Sequence, residues 1–552
     1  MHRVCARTAV RSARHRYHRS ADGDGLAARR SAHRSASSSS SASPSSAARR
    51  PLTDASPSPY KPRKMSNKAR PVLYGPSKRR CDAYALGALC AWLRSHGVEC
   101  DVTTMFATSE RFGALGTAKR DMDEGAEAFS LPLRSKADGD ALALTTRDAL
   151  RETGALGEVG RAMKRIGGLD RLSGVIESEH EFPLDSASTS TLAVALMRQG
   201  AGGKGMRWRA YYDALPGEVD SLLMWSDEEL ELLQGSALRE RALFRRALVR
   251  REYEALFPAL AEADPEVFGD ERYSLEYFRW AYATVMARAF VLPDLKCMAL
   301  LPGIDVYNSA RDAEKCEVEM DEDDPDGEND LSKSRVTLRI GIGGVEAGEQ
   351  IFHDYADHAS GGALLEFGFV YHGERERGRG SHAMDVCLKT EHDALSEESR
   401  AFLESSDVFA AYGVRKSLTF EISNVGGVYK PALSGLQCVK PEMWKAARAL
   451  ALSPGDPLPR TLDEPLDERS ERRAREIIVR TLRAERAKYS DTSVELDERL
   501  LAAVLGDDAT EIEDPTLAAR ASASATFRRR AAMALEVRIG EKSLLDDVLA
   551  HL

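Results

Sequence analysis

Few side chains of this 552-residue chain stand in patterns that could do chemistry. The eight cysteines are scattered, with no C-x-x-C pair and no Cys/His cluster at zinc-ligand spacing, so no metal site is expected and a reducing compartment is. What remains is a set of polar residues at the ends of apolar or aromatic runs. Gly113-Ala114-Leu115-Gly116 forms a glycine turn, Arg288 closes the run YFRWAYATVMAR, Asp305, Asn308 and Ser309 share ALLPGIDVYNSA, and Tyr355 follows GEQIF. Taken singly, these read as a turn, an ion-paired arginine and a half-buried sheet tyrosine. Chemistry requires that they be brought together, which depends on the elements that carry them.

The net charge of −10 hides an asymmetry, combining +13 over residues 1–70 with −23 over the rest. A body this acidic repels a phosphate backbone, so nucleic acid is not an expected partner. No apolar run approaches the roughly 18 residues of a membrane-spanning helix, so no membrane partner is expected either. Residues 1–64 are Arg- and Ser-rich, lack Glu and cannot build a core. Their composition fits a transit peptide for chloroplast or mitochondrion. Met65 also opens a plausible chain of its own, and a start there leaves cytoplasm or nucleus as the compartment.

From Cys81, CDAYALGALCAWLRSHG predicts an amphipathic helix closed by Gly97, with Leu86, Leu89, Cys90 and Leu93 along one face. β-like pieces follow at Val102, Leu115 and Ala126. Residues 140–290 read as mostly helical, and Ser226 with Glu229 forms a capping-box pattern. Strand-like composition returns after Pro293, interrupted by the acidic DAEKCEVEMDEDDPDGEND from Asp312, which is expected to be a solvated loop. From about Leu466 the pattern is helical to the end.

Four segments, in order, resemble the SET-domain subfamily that includes the Rubisco large-subunit methyltransferase. They are AWLRSHG with FGALGTAKRDMDEGAEAFSLP, WRAYYDALP with LLMWSDEELELLQGSAL, YFRWAYATVMARAF with ALLPGIDVYNSA, and AGEQIFHDYADHASGGALLEFGFV. The C-terminal KYSDTSVELDERLL and RIGEKSLLDDVL resemble the family's helical substrate-binding domain. The resemblance implies an α+β protein: a SET β-fold over residues 81–390 with a helical insertion at about 140–290, then an all-α substrate-binding domain over 391–552. It further implies a monomeric protein-lysine N-methyltransferase that uses S-adenosylmethionine, takes no metal, and docks its protein substrate on the C-terminal domain.

Carried over residue by residue, the resemblance gives Tyr355 the catalytic position beside the transferring methyl group. Asn308 and Ser309 match the pair that holds the adenine end of the cofactor, and Arg288 matches the arginine for its carboxylate, a task suited to a bidentate guanidinium. Phe112, Gly113 and Ala114 match the main-chain turn that receives the cofactor, while Asp305 and Phe367 match positions near the substrate amine. The chain departs from the family at several of these places. Ser309 replaces a histidine, the second glycine of the turn is displaced to Gly116, Ala359-Ser360-Gly361-Gly362 replaces Ser-Asn-Ala-Glu, and Phe367 replaces a tyrosine. An inactive binding module and a protein-histidine methyltransferase fit the same motifs.

Overall fold

A computed structural model describes residues 82–552 apart from short stretches, the longest being 177–185, 323–333, 372–381, 389–417 and 426–432. The Arg/Ser-rich tail and Met65 lie outside the described residues. Helix α1 (Ala83–Ser95) starts where the Asp82 carboxylate accepts from the Ala85 amide. It buries Leu86, Leu89, Cys90 and Leu93, the stripe its sequence predicts. The chain turns away at Gly97, whose φ of 79° lies in the left-handed region that glycine enters at no steric cost.

The first three strands are β1 (Thr104–Ser109), β2 (Gly113–Ala118) and β3 (Glu127–Pro132). The short β4 (Leu144–Thr145) opens the helical insertion. Its helices of six residues or more are α2 (Gly157–Arg165), α3 (Gly168–Ile176), α4 (Ser186–Ala201), α5 (Arg209–Ala214), α6 (Ala237–Ala263) and α7 (Leu275–Arg288). The Ser226/Glu229 capping box is present, with both reciprocal hydrogen bonds, on a one-turn helix ahead of α6. Strands β5 (Phe290–Leu292) and β6 (Cys297–Leu300) follow, and β6 pairs with both β4 and β5 in a three-stranded sheet.

The acidic segment is not the loop expected over its whole length. Lys315–Glu322 forms β7, antiparallel to β8 (Ser334–Arg339) and parallel to β9 (Gln350–His353). Charge concealed an alternation of period two: Val318 and Met320 are buried, while Glu319 between them reaches Arg339 at 2.8 Å. The main sheet runs β1-β2-β9-β7-β8-β3, so strands from both ends of the insertion are interleaved. One apolar core joins α1, this sheet and the insertion helices.

Beyond α8 (Ser360–Phe367), strands β10 (Ala383–Leu388) and β11 (Leu418–Ser423) pair with each other on either side of residue 390, the boundary placed from sequence. Helices α9 (Pro441–Ala451), α10 (Glu468–Ala487), α11 (Val494–Leu505), α12 (Pro515–Ala523) and α13 (Ala525–His551) complete the chain. No helix among the described residues is long and apolar enough to cross a membrane.

Helix α13 is unusually charged for a buried element. Arg538 and Lys542 both pair with the fully buried Asp497 of α11, at 2.7 and 2.6 Å. Toward the insertion, Arg530 bonds Glu229 at 2.7 Å and shares Asp220 with Arg529. Glu541 accepts from the Tyr489 hydroxyl at 2.5 Å, and burial pushes its carboxyl up to about 7. A carboxyl held above its unfolded value of 4.5 stabilises the fold fully only below that value, and the contribution is lost as pH rises to about 7. Glu541→Gln is therefore expected to gain about 3 kcal/mol relative to the parent protein between pH 4 and pH 8. Denaturant unfolding of both proteins at the two pH values measures this, and a pH-independent difference would refute the assignment.

Candidate cofactor and substrate site

The segment after β6 is bound on both flanks. A one-turn helix, Ile304–Val306, leads into Tyr307 and Asn308. The Asn308 carboxamide donates to the Ala114 carbonyl of β2 at 2.9 Å, and the Asn308 carbonyl accepts from the His353 amide of β9 at 2.9 Å. Tyr307, wholly buried, meets Thr104 of β1 through its hydroxyl at 2.7 Å. Its ring lies over Gly116, where a Cβ would come within 2.2 Å of it. That close approach gives the displaced second glycine a purpose: the backbone of β2 must be bare where the ring crosses it.

Tyr355, two residues past β9, donates its hydroxyl to the Tyr307 carbonyl at 2.9 Å. Around it stand His353 at 4.5 Å, Phe367 at 5.1 Å and Phe369 at 6.1 Å between ring centroids. Phe290 stacks on the far side of His353 at 5.7 Å. These rings form a wall that is apolar but tolerant of a cation over its faces.

Arg288, the last residue of α7, donates from Nη1 to the Asp305 carbonyl at 2.9 Å and reaches the Asp305 carboxylate at 3.2 Å. Tyr211 donates to the same carboxylate at 2.8 Å. Burial raises the Asp305 carboxyl, while Arg288 and the Tyr211 hydroxyl pull it down. Tyr211, desolvated and beside that carboxylate, is pushed well above the ordinary phenol range. Asp305 thus fixes two side chains at the root of the segment that carries Asn308. The Ser309 hydroxyl is buried with no hydrogen-bond partner among the described residues, which leaves a donor and acceptor for a polar ligand.

The structure therefore brings Ala114, Arg288, Asp305, Asn308, Tyr355 and Phe367 into one connected neighbourhood through these contacts. Gly113, at φ 67°, begins β2 opposite Ser109. Phe112 lies outside the described residues. Sequence reasoning passed over Tyr307, Tyr211 and His353. Tyr307 sits between Asp305 and Asn308 inside the quoted motif, and His353 stands two residues before Tyr355, at the end of β9. Tyr211 lies in WRAYYDALP, a segment used only as a landmark. No group of His, Cys, Asp and Glu among the described residues could hold a metal ion.

Comparison with known proteins identifies the fold. The fold is the SET-domain fold: the chain superposes with a TM-score of 0.60 and 19% identity on a crystal structure described as the SET domain of LSMT bound to lysine and AdoHcy, covering 85% of this chain and 90% of that one. Residues 432–545 match the family model for the Rubisco LSMT substrate-binding domain. An Arabidopsis thaliana protein named [fructose-bisphosphate aldolase]-lysine N-methyltransferase, chloroplastic, is 27% identical over 353 residues, which is 62% of this chain and 63% of that protein. The Pisum sativum Rubisco large subunit N-methyltransferase, also chloroplastic, is 27% identical over 39% of this chain and 42% of its own length. The chain thus spans less than two thirds of these curated relatives.

The overlap of Tyr307 with Gly116 gives the site a stability test. Gly116→Ala is expected to lose about 3 kcal/mol, at the upper end for an added methyl in a packed interior, because a ring anchored at both ends cannot retreat. Equilibrium unfolding reads the loss. A change under about 0.5 kcal/mol would mean that the ring does not rest on the strand.

Proposed function

We propose that this chain is an S-adenosylmethionine-dependent protein-lysine N-methyltransferase that docks a protein substrate on its C-terminal helical domain. The observation that carries the reading is the connected set Ala114–Asn308–Tyr307–Tyr355, with Arg288 and the aromatic wall beside it. Similarity to proteins named lysine N-methyltransferases supports the reading, as does the substrate-binding family match. S-adenosylmethionine supplies, when bound, a methyl group on a positively charged sulfur.

The residues present fit such a ligand. Arg288 would meet its carboxylate. Asn308 and the β2 turn at Gly113 and Ala114 would meet its adenine end, and the Ser309 hydroxyl, without a partner among the described residues, would add a further polar contact. The chain's other task is to receive a lysine amine in its neutral form. At pH 7 that costs about 4 to 5 kcal/mol from a reference pKa near 10.4. A channel walled by Phe367, Phe369 and Tyr355 excludes water and so favours the uncharged amine. The Tyr355 hydroxyl, fixed by the Tyr307 carbonyl, keeps an oxygen lone pair available to orient the reacting group. Phe367 in place of a hydroxyl-bearing ring leaves the channel drier on that side.

Three outcomes test the proposal. Calorimetry should find S-adenosylhomocysteine bound in the micromolar range, about 7 to 9 kcal/mol, and a folded sample that binds none would favour an inactive docking module. Tyr355→Phe removes one hydrogen bond and should cost at most about 1.5 kcal/mol of stability. On the protein labelled by wild type in a source-cell lysate, its turnover should fall about a hundredfold, with S-adenosylhomocysteine affinity kept within a few-fold. Wild-type turnover should also rise toward alkaline pH, because the amine must shed its proton first. Full turnover by Tyr355→Phe would leave the residue a purely structural role.

A further inference from the structure

Phe367 owes its place beside Tyr355 to two contacts from the insertion. On one side, Arg245 of α6 enters the protein almost fully buried, at 4% exposure, and bonds the Glu366 carboxylate at 2.8 Å and the Leu365 carbonyl at 3.2 Å. On the other, Gly368 ends α8 with φ 81°, and a Cβ there would strike the Ser221 nitrogen at 2.6 Å. Helix α8 is thus gripped at Leu365–Glu366 and stopped at Gly368, with Phe367 between. The grip is itself anchored: two turns along α6, the fully buried Glu252 accepts from Ser190 at 2.7 Å and from Ser186, tying α6 to α4. Ser186 also meets Tyr282 of α7 at 3.2 Å. A guanidinium that satisfies a carboxylate and a backbone carbonyl together fixes both rotation and depth of the element it holds, which a lysine does less well.

We propose that Arg245 is a positioning residue for the reaction: through Glu366 it sets the depth at which Phe367 stands against Tyr355, and so how dry the amine channel is. The inference rests on the methyltransferase reading for its functional half and on the α6–α8 contact alone for its structural half. Removing one member of a buried pair leaves the other charged and exposed to no water, so α8 should shift or loosen while the Asn308 and Arg288 side of the site, held by other bonds, should not.

The test uses the full chain as wild type, Arg245→Lys and Arg245→Met. Arg245→Met should label the lysate protein that wild type labels with tritiated S-adenosylmethionine at least about tenfold more slowly, with S-adenosylhomocysteine affinity within about twofold. Its rate against pH should move toward alkaline values, since a wetter channel holds the amine's proton longer. Arg245→Lys should recover part of the rate, and amide exchange over residues 363–368 should quicken in the Met variant alone or more strongly. Wild-type labelling by Arg245→Met overturns the proposal. So does equal loss of cofactor affinity and rate in both variants, which would make Arg245 a general stabiliser. If wild type labels nothing, the methyltransferase reading and the functional half fall together. Exchange over 363–368 then decides the structural half, upheld by quickening and overturned by no change.

Discussion

The segment Ile304–Ser309 is bonded to strands on both of its sides, and most of the site depends on that. Its asparagine reaches β2 with the side chain and β9 with the main chain. Its tyrosine ring crosses the bare backbone at Gly116, and its carbonyl receives the Tyr355 hydroxyl. A segment tied on two flanks has little freedom to rotate. The polar atoms it carries are therefore held before any ligand arrives, which is what preorganisation for binding requires. Asp305 extends the same logic one turn back, because a buried carboxylate between Arg288 and Tyr211 is tolerable only when both partners remain.

Much of this was legible in the residues, for reasons that differ by element. Helix α1 announced itself because its apolar stripe has the helical period and nothing tertiary opposes it. The capping box before α6 was equally local. Strand β7 was hidden because its alternate residues are acidic, so a reading by charge saw a loop where a reading by period would have seen Val318 and Met320 facing inward. Tyr307 escaped for another reason. Its partners Thr104 and Gly116 lie some two hundred residues away, and nothing in the local pattern distinguishes a tyrosine that crosses a strand from one that faces solvent. Taken singly, Arg288 reads as an ion-paired residue, but its partner Asp305 lies seventeen residues on and nothing local links the two.

The departures from the family pattern read differently once placed. Gly116 is set by the Tyr307 ring. Gly361 sits where a side chain would meet Leu238 of α6 at 3.0 Å, so the glycine-rich start of α8 suits a helix pressed closely on the insertion. Ser309 carries a small buried hydroxyl with no hydrogen-bond partner among the described residues. Gly116 and Gly361 are thus local accommodations to the packing of this chain.

Asp220 lies at a crossing. Its carboxylate is shared by Arg529 and Arg530 of the last helix, its carbonyl accepts from the Trp225 indole, and its backbone abuts Gly368 at the end of α8. The last helix and the end of α8 therefore meet at one residue, the first through its side chain and the second through its main chain. Such a protein is poorly suited to modular exchange. Under the proposed function, a foreign docking domain grafted in place of the C-terminal one would have to bring two arginines to that one aspartate, so specificity and chemistry would be inherited together.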